Sequence, residues 1–204
     1  MIVRPRISII LFLIGAIILY LGVGLFHAGP TTFVGEFYQY CIFVAIGGLL
    51  LQVLAIVFLW RCGKLFHFSL FFVLIDAILI ALYLILPVVF KDSDLSKPIE
   101  VLNLAMMVAE ALIMIFFVLG VNQLAYDNYE GMPFLTKLII FAYIFITAVQ
   151  LIAGVLVLFG VTLNGVPYAE TIVTVIDKIA DGLTLAKEVG IVVFFIIAIV
   201  VIKD

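Results

Sequence analysis

The chain has 204 residues, of which 68% are hydrophobic and 11% are charged, and its formal net charge is −3. Soluble domains usually carry about 25% charged and about 45–50% apolar residues, so this composition excludes an ordinary soluble domain. The absence of a basic patch or arm from the sequence also argues against nucleic acid as a partner. A chain this short cannot bury five or six helices that are apolar on all sides within itself, so we expect the lipid bilayer to be its solvent.

Six apolar segments reach or approach the length of about 20 residues that a helix needs to cross the hydrocarbon core. They run over about residues 7–26, 38–60, 65–90, 99–124, 133–163 and 176–202. The connections between them carry turn-forming residues, as at positions 29–30, 61–64 and 164–167. The sequence therefore predicts an all-α, polytopic bundle of six transmembrane helices, which forms a single transmembrane domain over residues 1–204.

The apolar segments at the two ends of the chain can each be interpreted in two ways. Arg4 and Arg6 precede the first apolar run, as in a signal peptide, but the run is longer than the usual 7–15 residues. We therefore predict a retained helix. After Pro167 the only helix-breaking residues are Gly182 and Gly190. The stretch from 169 to 190 is interpreted as the outer part of the last span plus an extension, or alternatively as an interfacial helix that bends at Gly190.

Lysine and arginine residues predict the orientation, because they are enriched in short cytoplasmic loops. With both termini inside, the inner side holds Arg4, Arg6, Arg61, Lys64, Lys137 and Lys203. The outer side then holds only Lys91 and Lys97, with Lys178 close to it. This bias predicts that the N-terminus and the C-terminus both lie inside, as an even number of helices requires. The protein is thus expected to be an integral, multi-pass protein of a membrane that the sequence does not identify.

Polar and small residues recur at steps of three, four and seven along each apolar segment, which places them on one helix face. In lipid, small residues let helix backbones approach and polar residues find partners across helices. These faces are therefore expected to point inward, and the large aliphatic and aromatic residues to face lipid. Examples are Ser8, Gly15 and Gly22 in the first segment, Ser69, Asp76 and Tyr83 in the third, and Tyr143, Thr147, Gln150 and Gly154 in the fifth.

Several of these polar residues fall near the middle of their spans, and they are the candidate substrate- or ion-binding residues. A charged group at the bilayer centre costs at least about 2.5–3.5 kcal/mol, so such groups are kept by partners, by water or by becoming neutral. We expect Asp76, Glu110 and Lys187 to lie within reach of one another inside the bundle. The full candidate set is Asp76, Glu110, Gln150, Gln52, Lys187 and Glu188.

Three functions fit this pattern. The first is translocation of an ion, proton or small solute, with Asp76 and Glu110 as carriers and Lys187 as the counter-charge. The second is an accessory subunit of a larger membrane complex, or a homo-oligomer, in which the polar groups only hold helices together. The third is a lipid-modifying enzyme, in which Asp177 and Asp181 on one helix face hold Mg²⁺ and a diphosphate. No cluster of Cys and His has the spacing of metal ligands, and no cofactor is indicated.

Overall fold

A computed structural model describes residues 4–28, 40–90, 96–129, 131–158 and 169–203. Within these ranges the regular elements are helices: α1 (Pro5–Ala28), α2 (Cys41–Leu59), a 3-10 turn (Trp60–Cys62), α3 (Lys64–Val89), α4 (Ser96–Asn128), α5 (Phe134–Leu158) and α6 (Ala169–Val201). Each α-helix contains a stretch long and apolar enough to cross a membrane, as expected of a multi-pass integral membrane protein. The predicted connections at 29–30 and 164–167 lie outside the described residues.

The last helix, α6, is continuous from Ala169 to Val201. Its stretch apolar enough to cross a membrane is Gly182–Val201, so residues 169–181 extend the same helix beyond that stretch. Gly190 lies inside the helix, where an added Cβ would be 3.4 Å from Ile139 Cγ2 of α5. The glycine therefore lies at a contact with α5, within a helix that continues through it.

Successive helices pack against each other in antiparallel pairs, which agrees with the short connections between α2 and α3 and between α4 and α5. We call the end of the bundle that holds Arg4, Arg61 and Lys203 the terminal face, and the opposite end the far face. The contacts that establish the pairing join Gly22 with Ala45, Ser69 with Ile113, and Gln150 with Thr184.

Helices α1 and α2 approach so closely that their backbones touch. A Cβ added at Gly15 would lie 2.7 Å from Gly48 O, and one added at Gly48 would lie 2.6 Å from Gly15 O. Gly22 lies equally close to the backbone of Ala45. Small residues allow this approach, as at other helix interfaces in lipid. Gly47, by contrast, has open space where its Cβ would be and takes no part in the contact.

Four phenylalanines fill the core towards the terminal face and join α1, α3, α4 and α6. Phe12 stacks on Phe117 with ring centroids 3.5 Å apart and an angle of 7° between the rings. Phe66 meets Phe117 edge-on at 5.6 Å, and Phe195 lies 6.0 Å from both Phe12 and Phe117. All four side chains are fully buried. This aromatic core closes the interior of the bundle on the side of the terminal face.

A hydrogen bond between helices fastens α3 to α4, since Ser69 Oγ donates to the Ile113 carbonyl oxygen at 3.1 Å. Hydrogen bonds between membrane helices contribute about 0.6 kcal/mol on average and at most about 1.7 kcal/mol. We expect Ser69→Ala to lower the free energy of unfolding by that amount, as measured by SDS titration in mixed micelles. Ser8→Ala is the control, because Ser8 Oγ donates only to Arg4 O at the start of its own helix. Equal losses in the two variants would contradict this role of Ser69.

Candidate functional site

The candidate site begins at the contact between α5 and α6, where a glutamine is held in one orientation. Gln150 Nε2 donates a hydrogen bond to Thr184 Oγ1 at 2.7 Å. The amide oxygen therefore points away from Thr184 and accepts a hydrogen bond from Lys187 Nζ at 2.9 Å. Thr184 and Lys187 are three residues apart, so both face α5 from one side of α6. The result is a carbonyl-type oxygen positioned to bind a cation.

The Lys187 ammonium group has two further neighbours. Its Nζ lies 3.8 Å from Glu188 Oε1, at the outer limit of an ion pair. It also lies 5.4 Å from the centroid of the Tyr143 ring, within the range of a cation–π interaction. The Lys187 side chain is 13% exposed, whereas the Glu188 side chain is 56% exposed. An amide oxygen, a carboxylate and an aromatic face thus surround one mostly buried cation.

Two acids from the neighbouring hairpin complete the arrangement. Asp76 of α3 is 0% exposed, and neither of its carboxylate oxygens has a hydrogen-bond partner among the described residues. Glu110 of α4 interacts electrostatically with Asp76 on one side and with Lys187 and Glu188 on the other. We define the polar cluster as Asp76, Glu110, Tyr143, Gln150, Thr184, Lys187 and Glu188.

The charges of the polar cluster do not balance. Three carboxyl groups, from Asp76, Glu110 and Glu188, accompany the single ammonium group of Lys187. Of the three carboxyl groups, that of Asp76 is fully buried, and a buried charge is costly unless it is paired or hydrogen-bonded. One or two additional positive charges, supplied by protons or bound cations, would therefore neutralise the described residues of the cluster.

The cluster lies at a boundary in the packing of the bundle. Among the described side chains, α3 has none buried beyond Asp76, and α4 has none buried before Ala109. Likewise α5 has none buried beyond Thr147, and α6 has none before Ile191. Among α3–α6 the interior is thus closed by the aromatic core towards the terminal face, and no described side chain of these four helices is buried further towards the far face. Glu110 is exposed at this boundary, between the buried Ala109 and Ala111.

The structure brings together five of the six candidate residues and leaves one apart. Lys187 contacts both Gln150 and Glu188, Glu110 interacts electrostatically with Lys187 and Glu188, and Asp76 interacts electrostatically with Glu110. Gln52 is buried elsewhere, on the face of α2 that packs against α1, where its backbone nitrogen would lie 2.9 Å from a Cβ at Gly15. Its Oε1 has no hydrogen-bond partner in the described part of the chain.

Two residues of the cluster were not among the candidates. Tyr143 supplies the aromatic face, and Thr184 orients the Gln150 amide. Both carry a signal in the sequence, since Tyr143 is seven residues from Gln150 and Thr184 is four from Glu188, so each shares a helix face with a candidate. Charge and depth had selected the candidates, and neither criterion selects a tyrosine or a threonine.

The alternative magnesium site on α6 falls outside what the structure describes, because the Asp177 and Asp181 side chains are not among the described side chains. Among the residues that are described, no three His, Cys, Asp or Glu side chains come close enough to hold a metal ion.

No protein-family model matches the chain, and a search of curated proteins and of solved structures found no significant similarity. The geometry and charges of the polar cluster are therefore the basis for assigning a function to the protein.

Proposed function

We propose that the protein translocates a proton or a small cation across its membrane through the polar cluster. Asp76 and Glu110 act as the carriers, Gln150 is a neutral ligand, and Lys187 is the counter-charge. The observation that carries this proposal is the Asp76 carboxyl group, which is fully buried while neither of its oxygens accepts a hydrogen bond from a described residue.

If Asp76 had a purely structural role, its carboxyl group would form a hydrogen bond with a neighbouring helix. Polar groups that fasten membrane helices do so by hydrogen bonds, as Ser69 does with the Ile113 carbonyl. Asp76 lies seven residues further along the same face of α3 and makes no such bond within the described ranges. An unpartnered ionised carboxylate in this position costs at least about 2.5–3.5 kcal/mol, which a bound proton or cation would remove. This cost supports a carrier role over a fastening role.

The packing around the cluster supports access from one side at a time. Glu110 and Glu188 are exposed, whereas the Phe12–Phe117 stack closes the interior towards the terminal face. A cation would enter from the far face, pass from Glu110 to Asp76, and leave after the aromatic core opens. With the predicted orientation, in which both termini lie inside, the far face is the outer face.

Glu110→Gln tests the proposal in proteoliposomes that contain the purified protein and a proton, sodium or potassium gradient. We expect wild-type protein to dissipate at least one gradient and Glu110→Gln to abolish that flux, since the amide cannot take up a proton and lacks the negative charge of the carboxylate. Glu100→Gln is the matched control, because Glu100 is also exposed on α4 but lies in its first turns, away from the cluster.

Two results would count against this function. One is unchanged flux in Glu110→Gln. The other is the absence of flux from wild-type protein that purifies from native membranes only with fixed partner subunits, which would favour the accessory-subunit alternative.

A further inference from the structure

The surroundings of the Lys187 head group form a receptor for an ammonium ion. Its N–H groups donate to the Gln150 oxygen at 2.9 Å, and its charge lies over the Tyr143 ring. Glu188 and Glu110 supply negative charge on further sides. A hydrogen-bond acceptor, an aromatic face and carboxylates together are suited to alkylammonium ions, which combine N–H donors with a positive charge and an apolar body.

We propose that this receptor binds a free primary ammonium cation, which displaces the Lys187 head group. This inference rests on the proposed function and narrows its cargo from small cations in general to primary ammonium ions. Between transport events, the Lys187 ammonium group then occupies the site in place of the free cation.

The geometry allows such an exchange. The lysine side chain has four flexible methylene groups, and the contact of its Nζ with Glu188 is long, at 3.8 Å. The Glu188 side chain is 56% exposed, so the ammonium group can follow it outward. The receptor itself does not need Lys187 to stay in place, because Thr184 holds the Gln150 amide independently at 2.7 Å. The acids also outnumber the lysine, so a second cation can enter without an excess of positive charge.

Two variants of Lys187 distinguish the binding site from the lysine side chain that fills it. Lys187→Ala removes the stem beyond Cβ and opens the site, and propylammonium has the same atoms as the part removed. Lys187→Met deletes the charge but keeps the stem volume, so the site stays filled. Propylammonium chloride should therefore raise the thermal unfolding midpoint of purified Lys187→Ala in detergent, and it should do so saturably. It should leave Lys187→Met and the surface control Lys178→Ala unchanged.

Two controls address specificity. Tetramethylammonium has the same charge but no N–H group, so it should stabilise Lys187→Ala at least about tenfold less effectively by concentration than propylammonium. Adding Gln150→Leu to Lys187→Ala should weaken the propylammonium effect by about tenfold or more, because the oriented acceptor is lost. Equal effects of propylammonium, tetramethylammonium and sodium chloride on Lys187→Ala would overturn the proposal.

A second measurement applies if Lys187→Ala does not fold. Wild-type proteoliposomes should then take up radiolabelled methylammonium saturably above protein-free liposomes, and Gln150→Leu should abolish the saturable part. Intact proton or sodium flux without methylammonium uptake would overturn the ammonium inference and leave the proposed function standing. Propylammonium rescue of Lys187→Ala without flux of any cation would support the receptor and contradict the proposed function.

Discussion

Asp76→Asn is expected to abolish cation flux in proteoliposomes while the chain remains folded and inserted. Asparagine has nearly the same shape as aspartate, so the packing around position 76 is kept, but it cannot take up a proton and lacks the negative charge of the carboxylate. Asp127→Asn is the control, since Asp127 lies exposed near the end of α4 at the terminal face. Retention of wild-type flux in Asp76→Asn would contradict the carrier role.

Asp76→Val separates the carrier role from a structural one by its effect on stability. Because neither oxygen of Asp76 has a hydrogen-bond partner among the described residues, removing the carboxyl group should stabilise the fold. Relief of an unsatisfied buried polar group is worth about 1–3 kcal/mol. We therefore expect SDS-induced unfolding of Asp76→Val to need more free energy than that of the wild type, with flux abolished. A destabilised Asp76→Val would indicate that the carboxyl group fastens helices.

Gly48→Val is expected to prevent α1 from docking on α2. An added Cβ at Gly48 would lie 2.6 Å from Gly15 O and 2.8 Å from Leu19 Cα, both of them backbone atoms that no side-chain rotation can move. Overpacking typically costs about 1–3 kcal/mol, and valine adds two methyl groups beyond the Cβ. We expect a loss of at least that size in SDS unfolding, together with a lower yield of folded protein.

The adjacent glycine provides a matched control for this prediction. A Cβ at Gly47 would meet nothing within 4 Å, so Gly47→Ala should leave the helix contact intact. Alanine is also the better helix former of the two residues, by up to about 1 kcal/mol. Comparable losses in Gly48→Val and Gly47→Ala would show that the tight α1–α2 contact does not determine stability.

Local chemistry along the chain was enough to predict the six helices and several of their inward faces, although Glu110, expected inside the bundle, is exposed. Apolar length predicted six spans, and six stretches in the structure are long and apolar enough to cross a membrane. Steps of seven predicted that Ser69 and Asp76 share an inward face, and both are fully buried. The same spacing marked Gly15 and Gly22, which lie against α2. These features follow from the helical repeat and from the cost of polar groups in lipid, which act within one helix at a time.

The sequence by itself determined five of the seven residues of the polar cluster, and only the tertiary structure added Tyr143 and Thr184 and decided which residues meet. Gln52 and Gln150 look alike as glutamines in apolar spans, yet Gln150 binds Lys187 and Gln52 packs against α1. Likewise Asp76 and Ser69 share a face, but only Ser69 finds a hydrogen-bond partner among the described residues. The reason is physical: a helix face sets the direction of a side chain, whereas its partners depend on how neighbouring helices rotate and how deeply they pack.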